Sequence, residues 1–176
     1  MAIEKKAMVR LAAALLIFVG ALLLAGSFGY WRFREAIANP GAASLPKSLA
    51  GLPLSTVAYG PEAVAEITRL HGKEFPITSG AMGMYGSESQ ATLWVAGFPA
   101  SPMAAQIVAA MQEKIAQGNS PFTPTGQQQD EGRTVYQLDG MGQKHVYFQS
   151  GSMVIWLAAN PPIAEKAIQQ ILEVFP

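Results

Sequence analysis

Between Leu11 and Trp31 the chain carries no charged side chain, and no other feature restricts its fold as much. Leu, Ala, Ile, Val and Phe dominate the run. Roughly 21 residues rising about 1.5 Å each give about 31 Å of helix, which matches a hydrocarbon core of about 30 Å. In lipid, a helix satisfies its own backbone polar groups, which an isolated strand or loop does not. Lys5, Lys6 and Arg10 precede the run, Tyr30 and Trp31 stand at its exit, and Arg32 and Arg34 follow. Aromatic residues suit the membrane–water interface. Glu4 offsets part of the first basic group and Glu35 part of the second. The positive-inside rule then favours, by a small margin, a cytoplasmic segment over residues 1–10 and an extracytoplasmic remainder. The expectation is a single-pass protein of the cell membrane, with the lipid bilayer as its first partner.

The competing reading is a cleaved signal peptide, because a basic start and an apolar run serve that purpose too. Ala25-Gly26-Ser27 supplies small residues, with cleavage after Ser27. Leu24-Ala25-Gly26 also resembles the approach to a lipidated cysteine, but Ser27 stands in the place of the thiol. The run exceeds a signal-peptide apolar region of roughly 7–15 residues, which favours a retained anchor.

Only 14% of the 176 residues are charged, against a usual fraction of about 25%. Residues 1–39 carry five basic and two acidic side chains, a net +3, while the remainder carries seven and ten, a net −3. A mildly acidic soluble part offers no phosphate-binding field, so nucleic acid is not an expected partner. The chain has no cysteine, which excludes disulfides, thiolate metal sites and cysteine nucleophiles.

Residues 32–51 read as stem and linker. Residues 32–38 extend the helix until Asn39-Pro40-Gly41 stops it, and the stretch from Gly41 to Pro53 is a linker or a chain laid on the domain surface. The folded domain is expected over residues 52–176. Leu54 to Tyr59 suits a strand. Pro61 to His71 suits a helix with Ala63, Ile67 and Leu70 on one face and Gly72 as its stop. Ile77–Tyr85 and Ala91–Phe98 suit a hairpin, and Pro102–Gln117 a helix with Met103, Ile107, Met111 and Ile115 spaced by four. Asn119–Gly132, rich in Pro, Gln and Gly, reads as a polar loop. Strands Arg133–Leu138, Gln143–Phe148 and Met153–Ala158 follow, then a helix over Pro162–Phe175. This order predicts an α+β domain of two layers, a mostly antiparallel sheet with helices on one face.

Tyr85 precedes Trp94 by the same interval as Tyr147 precedes Trp156, and each tryptophan leads through a proline into a helix. The pattern suggests two hairpin–helix units, at residues 77–117 and 143–175, with chance similarity the competing account. Strands Ala91–Phe98 and Met153–Ala158 are apolar on both faces. A one-sided antiparallel sheet alternates apolar and polar residues. The second face therefore needs cover from the linker, the Asn119–Gly132 loop or another protein, which makes Trp94, Phe98 and Trp156 candidate partner-binding residues.

Few residues offer chemistry. His71, before Gly72, complements a helix C-terminus. His145, on a strand, on the same side as Tyr147 and near Trp156 across the hairpin, suits a half-buried hydrogen-bonded role, with titration, ligand binding or a metal site as the alternative. Met82 and Met84 point to one face of a strand, and Met141 lies four residues before His145. Thioethers with an imidazole suit Cu(I), whereas methionine more commonly fills cores. Asp139-Gly140-Met141-Gly142 reads as a hairpin turn and not a phosphate loop. No Gly-x-Ser-x-Gly elbow occurs, and Glu62 with Glu66 lie one turn apart on a solvated helix face. In the anchor, Ala21, Ala25 and Gly29 form a small-residue stripe that permits close helix approach. No cofactor is expected. The sequence points to a non-enzymatic accessory, assembly or sensing subunit bound to other membrane proteins or to itself. A Cu(I)- or ligand-binding module through Met82, Met84, Met141 and His145 is the alternative.

Overall fold

A computed structural model describes residues 2–72, 74–118 and 120–176, with side chains at residue 6 and from residue 8 onward. Met1, the side chains of Glu4 and Lys5 in the proposed cytoplasmic segment, and Asn119 of the expected loop lie outside the described residues.

The apolar run belongs to one unbroken helix, α1 (Ala2–Ala38). Its stretch Met8–Ala38 is long and apolar enough to cross a membrane, and the most apolar 18 residues within it have a mean hydropathy of 2.5. The helix passes through the expected stem and stops where Asn39 and Pro40 follow. The domain then begins at Asn39 and not near Leu52, because the chain forms a unit separate from α1 over Asn39–Pro176. Strand β1 (Gly41–Ala42) already pairs in parallel with β4 (Ser79–Tyr85), and β2 (Ser48–Leu49) pairs with β3 (Leu52–Tyr59). Of the two readings of this stretch, a linker or a chain laid on the domain surface, the second holds: it is a strap with Ala43 and Leu49 buried. The Tyr85 hydroxyl, under this strap, donates to the Pro46 carbonyl at 3.0 Å, and burial raises that phenol well above its ordinary pKa.

The remaining elements are α2 (Pro61–His71), β5 (Ala91–Gly97), α3 (Ser101–Ala116), β6 (Thr123–Asp130), β7 (Arg133–Gly140), β8 (Gln143–Ser150), β9 (Met153–Ala159) and α4 (Pro161–Val174). The fold is α+β, and the sheet runs β2-β3-β4-β5-β9-β8-β7-β6, antiparallel apart from β1. Two-residue turns close several hairpins. Ala50-Gly51, Glu131-Gly132 and Met141-Gly142 all take positive φ at both positions. That is the backbone twist of a type I′ turn, matched to the twist of paired strands. The Glu131-Gly132 turn is why the expected polar loop is a strand. It folds Thr123–Asp130 back onto β7 in register from Thr123↔Asp139 to Asp130↔Arg133, so backbone pairing outweighs the poor strand propensity of Pro, Gly and Gln.

Helices pack on both faces, not on one. On the first face, Ala164, Ala167, Ile171 and Phe175 of the α4 segment meet Leu93, Val95, Ile155 and Leu157, and the strap adds Leu49. On the second face, Ile67 of α2 and Ala104, Val108 and Ile115 of α3 meet Phe98, Tyr147 and Val154. The central strands are apolar on both sides because each side has its own helical layer. Leu70 of α2 is 57% exposed, so that helix packs through Ala63 and Ile67.

Two hairpin–helix passages exist, β4-β5-α3 and β8-β9-α4, and β5 pairs with β9 so that Trp94 stands opposite Trp156. They diverge beyond that point. Tyr85 pairs with Ala91 and faces α4, whereas Tyr147 pairs with Trp156 and faces α3. The equal tyrosine–tryptophan spacing is therefore not a structural equivalence, and the two helices go to opposite faces.

Candidate functional site

Strand register sets the second face. Met82, Trp94, Trp156, Tyr147 and Tyr136 are successive partners on β4, β5, β9, β8 and β7. Side chains at paired positions share a face, so this register builds a row of rings. Tyr136 stacks on Tyr147 at 4.8 Å between centroids, and Tyr147 on Trp156 at 5.2 Å, with planes 12° and 10° apart. Burial pushes the Tyr147 phenol up to about 12, so it stays neutral at physiological pH. Trp94 Nε1 is buried and has no hydrogen-bond partner among the described residues.

His145 lies beside this row, 5% exposed. The Trp156 Nε1–H donates to His145 Nδ1 at 3.2 Å, and His145 Nε2 meets the Gly140 carbonyl at 3.0 Å. A carbonyl only accepts and an indole N–H only donates, so Nε2 carries the proton and Nδ1 is bare. Both ring nitrogens are satisfied in the neutral form. Burial lowers the imidazole pKa, opposed in part by the Gly140 carbonyl and by Asp139. Phe122 packs its ring 4.8 Å from His145 and 5.0 Å from Trp156. Gly140 makes this possible, since a Cβ there would sit 2.6 Å from the Phe122 ring.

Two cavities open along α3. One of about 480 Å³ is lined by Val108, Gln112, Arg133, Tyr136 and Gln149, and one of about 280 Å³ by Ile115, Pro124, Gln127, Tyr136 and Leu138. They share Gln112, whose Oε1 accepts from the Tyr136 hydroxyl at 3.3 Å. Arg133 is already engaged. It pairs with Asp130 at 2.7 Å, donates to the carbonyls of Leu172 and Phe175, and lies 4.8 Å over the Phe148 ring. The groove is thus lined by amides, hydroxyls and apolar groups, with its cation spent on tying α4 to β7.

Beyond the groove lies β6, the outer strand of the sheet. Thr123 to Gln129 are all exposed and uncharged. Asp130 and Arg133 flank a two-residue turn as a bonded pair, so in an antiparallel ladder the N–H and C=O of Gln127 and Gln129 turn away from β7. Sequence reading missed this edge, although Glu131-Gly132 ahead of a strand is a recognisable turn signal.

The residues singled out for metal do not converge. Met84 and His145 share a row but are separated by Thr92 and Ala158, three strand spacings or about 14 Å. Met82 lies in the neighbouring row, and Met141, at a turn with φ 53°, is 78% exposed. His145 has no free nitrogen, so the four cannot share one Cu(I). Among the described residues no group of three or more His, Asp or Glu side chains is placed to hold a metal ion. Of the candidate docking residues, Phe98 is 4% exposed, and Trp94 and Trp156 are half-buried in the α2–α3 layer, so the cover they need comes from the chain itself. Ala21, Ala25 and Gly29 are exposed on α1, with nothing within 4 Å of the Gly29 Cβ position. His71 is exposed, with Nδ1 2.7 Å from the Ile67 carbonyl. Glu66 is taken up by Arg69 at 2.7 Å.

No family model, curated protein or solved structure matches this chain.

Proposed function

We propose that this is a single-pass membrane protein, N-terminus cytoplasmic, whose extracytoplasmic domain acts without catalysis as an accessory, assembly or sensing subunit of a larger membrane complex. It binds a protein partner, and β6 is the edge that receives it. The observation that carries this reading is the outer strand itself, exposed on both faces and uncharged from Thr123 to Gln129. Exposed sheet edges are usually blunted by lysine or by a covering loop, and an uncovered edge is a template for an added strand. The bulge between Pro124 and Gly126 protects only the first part of β6. The groove beside α3 adds neutral hydrogen-bonding groups next to that edge.

Solubilising the full chain in mild detergent and identifying what co-purifies tests the reading. A second protein, or a second copy of the chain, is expected in fixed ratio. The double variant Gln127→Lys/Gln129→Lys, which puts charge on the edge while leaving the β7 ladder intact, is expected to lose it. A monodisperse monomer from the native membrane, with nothing bound, overturns the proposal.

A further inference from the structure

Just before β6, the Phe122 ring packs on a hydrogen-bonded pair, His145 with Trp156. We propose that His145 is a proton-operated latch: its neutral ring holds Trp156 and the Ser120–Phe122 connection in place, and its protonation releases that connection together with the start of β6.

The Nε2–H bond to the Gly140 carbonyl survives protonation, since Nε2 donates in both states. Nδ1 does not keep its role. It accepts from the Trp156 indole at 3.2 Å, and a proton there sets two donors against each other. The indole N–H then loses its acceptor beside a ring that is 5% exposed, while the ring gains a charge that burial disfavours. Phe122 makes its ring contacts on these two side chains and immediately precedes Thr123, the first residue of β6. The Phe122 N–H bond to Ser120 Oγ at 3.1 Å lies within the connection and does not tie it to the sheet.

The groups around His145 leave the conflict in place. From β7 come Leu138, Gly140 and Asp139, from β9 Trp156 and Ala158, from its own strand Lys144 and Tyr147, and from the connection Phe122. In the same cluster α3 presents Met111 and Ile115, while Glu113 and Lys114 are exposed. Asp139 is the acidic neighbour that favours the cation, and it is paired with Lys144 at 2.8 Å. Tyr147 stays neutral. His71 differs in kind: Nδ1–H donation to the Ile67 carbonyl is compatible with the charged ring, so it provides an internal control.

An effect of release on partner docking rests on β6 being the docking edge proposed above. The latch does not, and it is tested on the chain without a partner. The full chain in detergent micelles is followed by hydrogen exchange from about pH 7.5 to about pH 4.5, corrected for the intrinsic pH dependence, across the ordinary histidine range. Peptides covering residues 120–130 are expected to lose protection by about tenfold or more on acidification while β5 and β9 keep theirs. His145→Gln, whose amide oxygen accepts from the indole, is expected to abolish the transition, and His71→Gln to retain it. Unchanged protection over residues 120–130, or a transition that persists in His145→Gln, overturns the latch. Nitrogen-15 spectra of the wild-type histidines give a reading independent of variant folding. The Nε2–H tautomer is expected at neutral pH, with the Trp156 indole proton shifting as His145 titrates; an Nδ1–H tautomer or a stationary indole signal overturns it.

Discussion

Under α4 the sheet presents Leu93, Val95, Val146, Phe148, Ile155 and Leu157, none more than 1% exposed. Under α2 and α3 the same strands present Trp94, His145, Tyr147 and Trp156, together with an unpartnered indole N–H and both cavities. Alternation along a strand thus separates two tasks. One face supplies mainly apolar burial, with Tyr85 and Arg133 tying the strap and α4 to it through backbone carbonyls. The other couples its packing to hydrogen bonds, and one of those bonds depends on a proton.

The contrast is sharpest in large-to-small substitutions. Ile155→Ala, on the α4 face, is expected to destabilise by about 2–5 kcal/mol, and by the same amount at neutral and mildly acidic pH. Denaturant unfolding of the full chain in micelles measures it, and a cost that changes with pH would blur the distinction between the faces. On the second face, Trp156→Phe is expected to cost about 1–3 kcal/mol at neutral pH, because His145 Nδ1 loses its donor. Trp94→Phe removes an N–H that has no partner and is expected to cost less. Equal costs for the two tryptophans would show that the indole–imidazole bond adds nothing to stability.

Acid provides the next comparison. The folded-state pKa of His145 is lowered, so the unfolded chain takes up its proton first. The neutral ring's contribution is complete above about pH 6.5, falls as pH drops below that value, and levels off once the folded-state pKa is passed. Unfolding free energies across this range are expected to slope in the wild type and to flatten in His145→Gln. A slope of the same size in both would assign the acid sensitivity elsewhere. The smallest expected effect belongs to neither face. Met141 occupies a left-handed turn position at φ 53°, which asparagine tolerates better. Met141→Asn is expected to stabilise by roughly 0.5–1 kcal/mol, visible as a higher unfolding midpoint without any change in pH dependence.

Much of the element order was legible because the periodicities are strong. Pro61–His71, Ala91–Gly97 and Met153–Ala159 follow the apolar patterns that announce them. Two errors share one cause, in that composition was read where turn chemistry decided. Ala50-Gly51 and Glu131-Gly132 are both two-residue turns with positive φ, and each converts an apparently featureless stretch into a paired strand. Placement of the helices lay beyond any local pattern. Trp94 and Trp156 precede similar strand–proline–helix passages, yet β5 is followed by three residues before α3, and β9 by Asn160 alone before α4. Which face a helix takes depends on that short connection. His145 was legible as a strand histidine near Trp156 across the hairpin, although it is 5% exposed and not half-buried, and its hydrogen bond to the indole depended on the β8–β9 register, in which Tyr147 stands opposite the tryptophan.

The seam at the middle of the sheet has a consequence for how the molecule is made. Strand β5 is bordered on one side by β9, and its α4-facing residues wait for a helix that follows β9 in the chain. A polypeptide emerging from its N-terminus therefore holds Leu93 and Val95 uncovered until almost all of the domain has been synthesised. Closing that seam requires partners distant in sequence, which makes it a late and slow step. Until it closes, the nascent domain is a substrate for chaperones and proteases, and any truncation that removes α4 leaves it permanently in that condition.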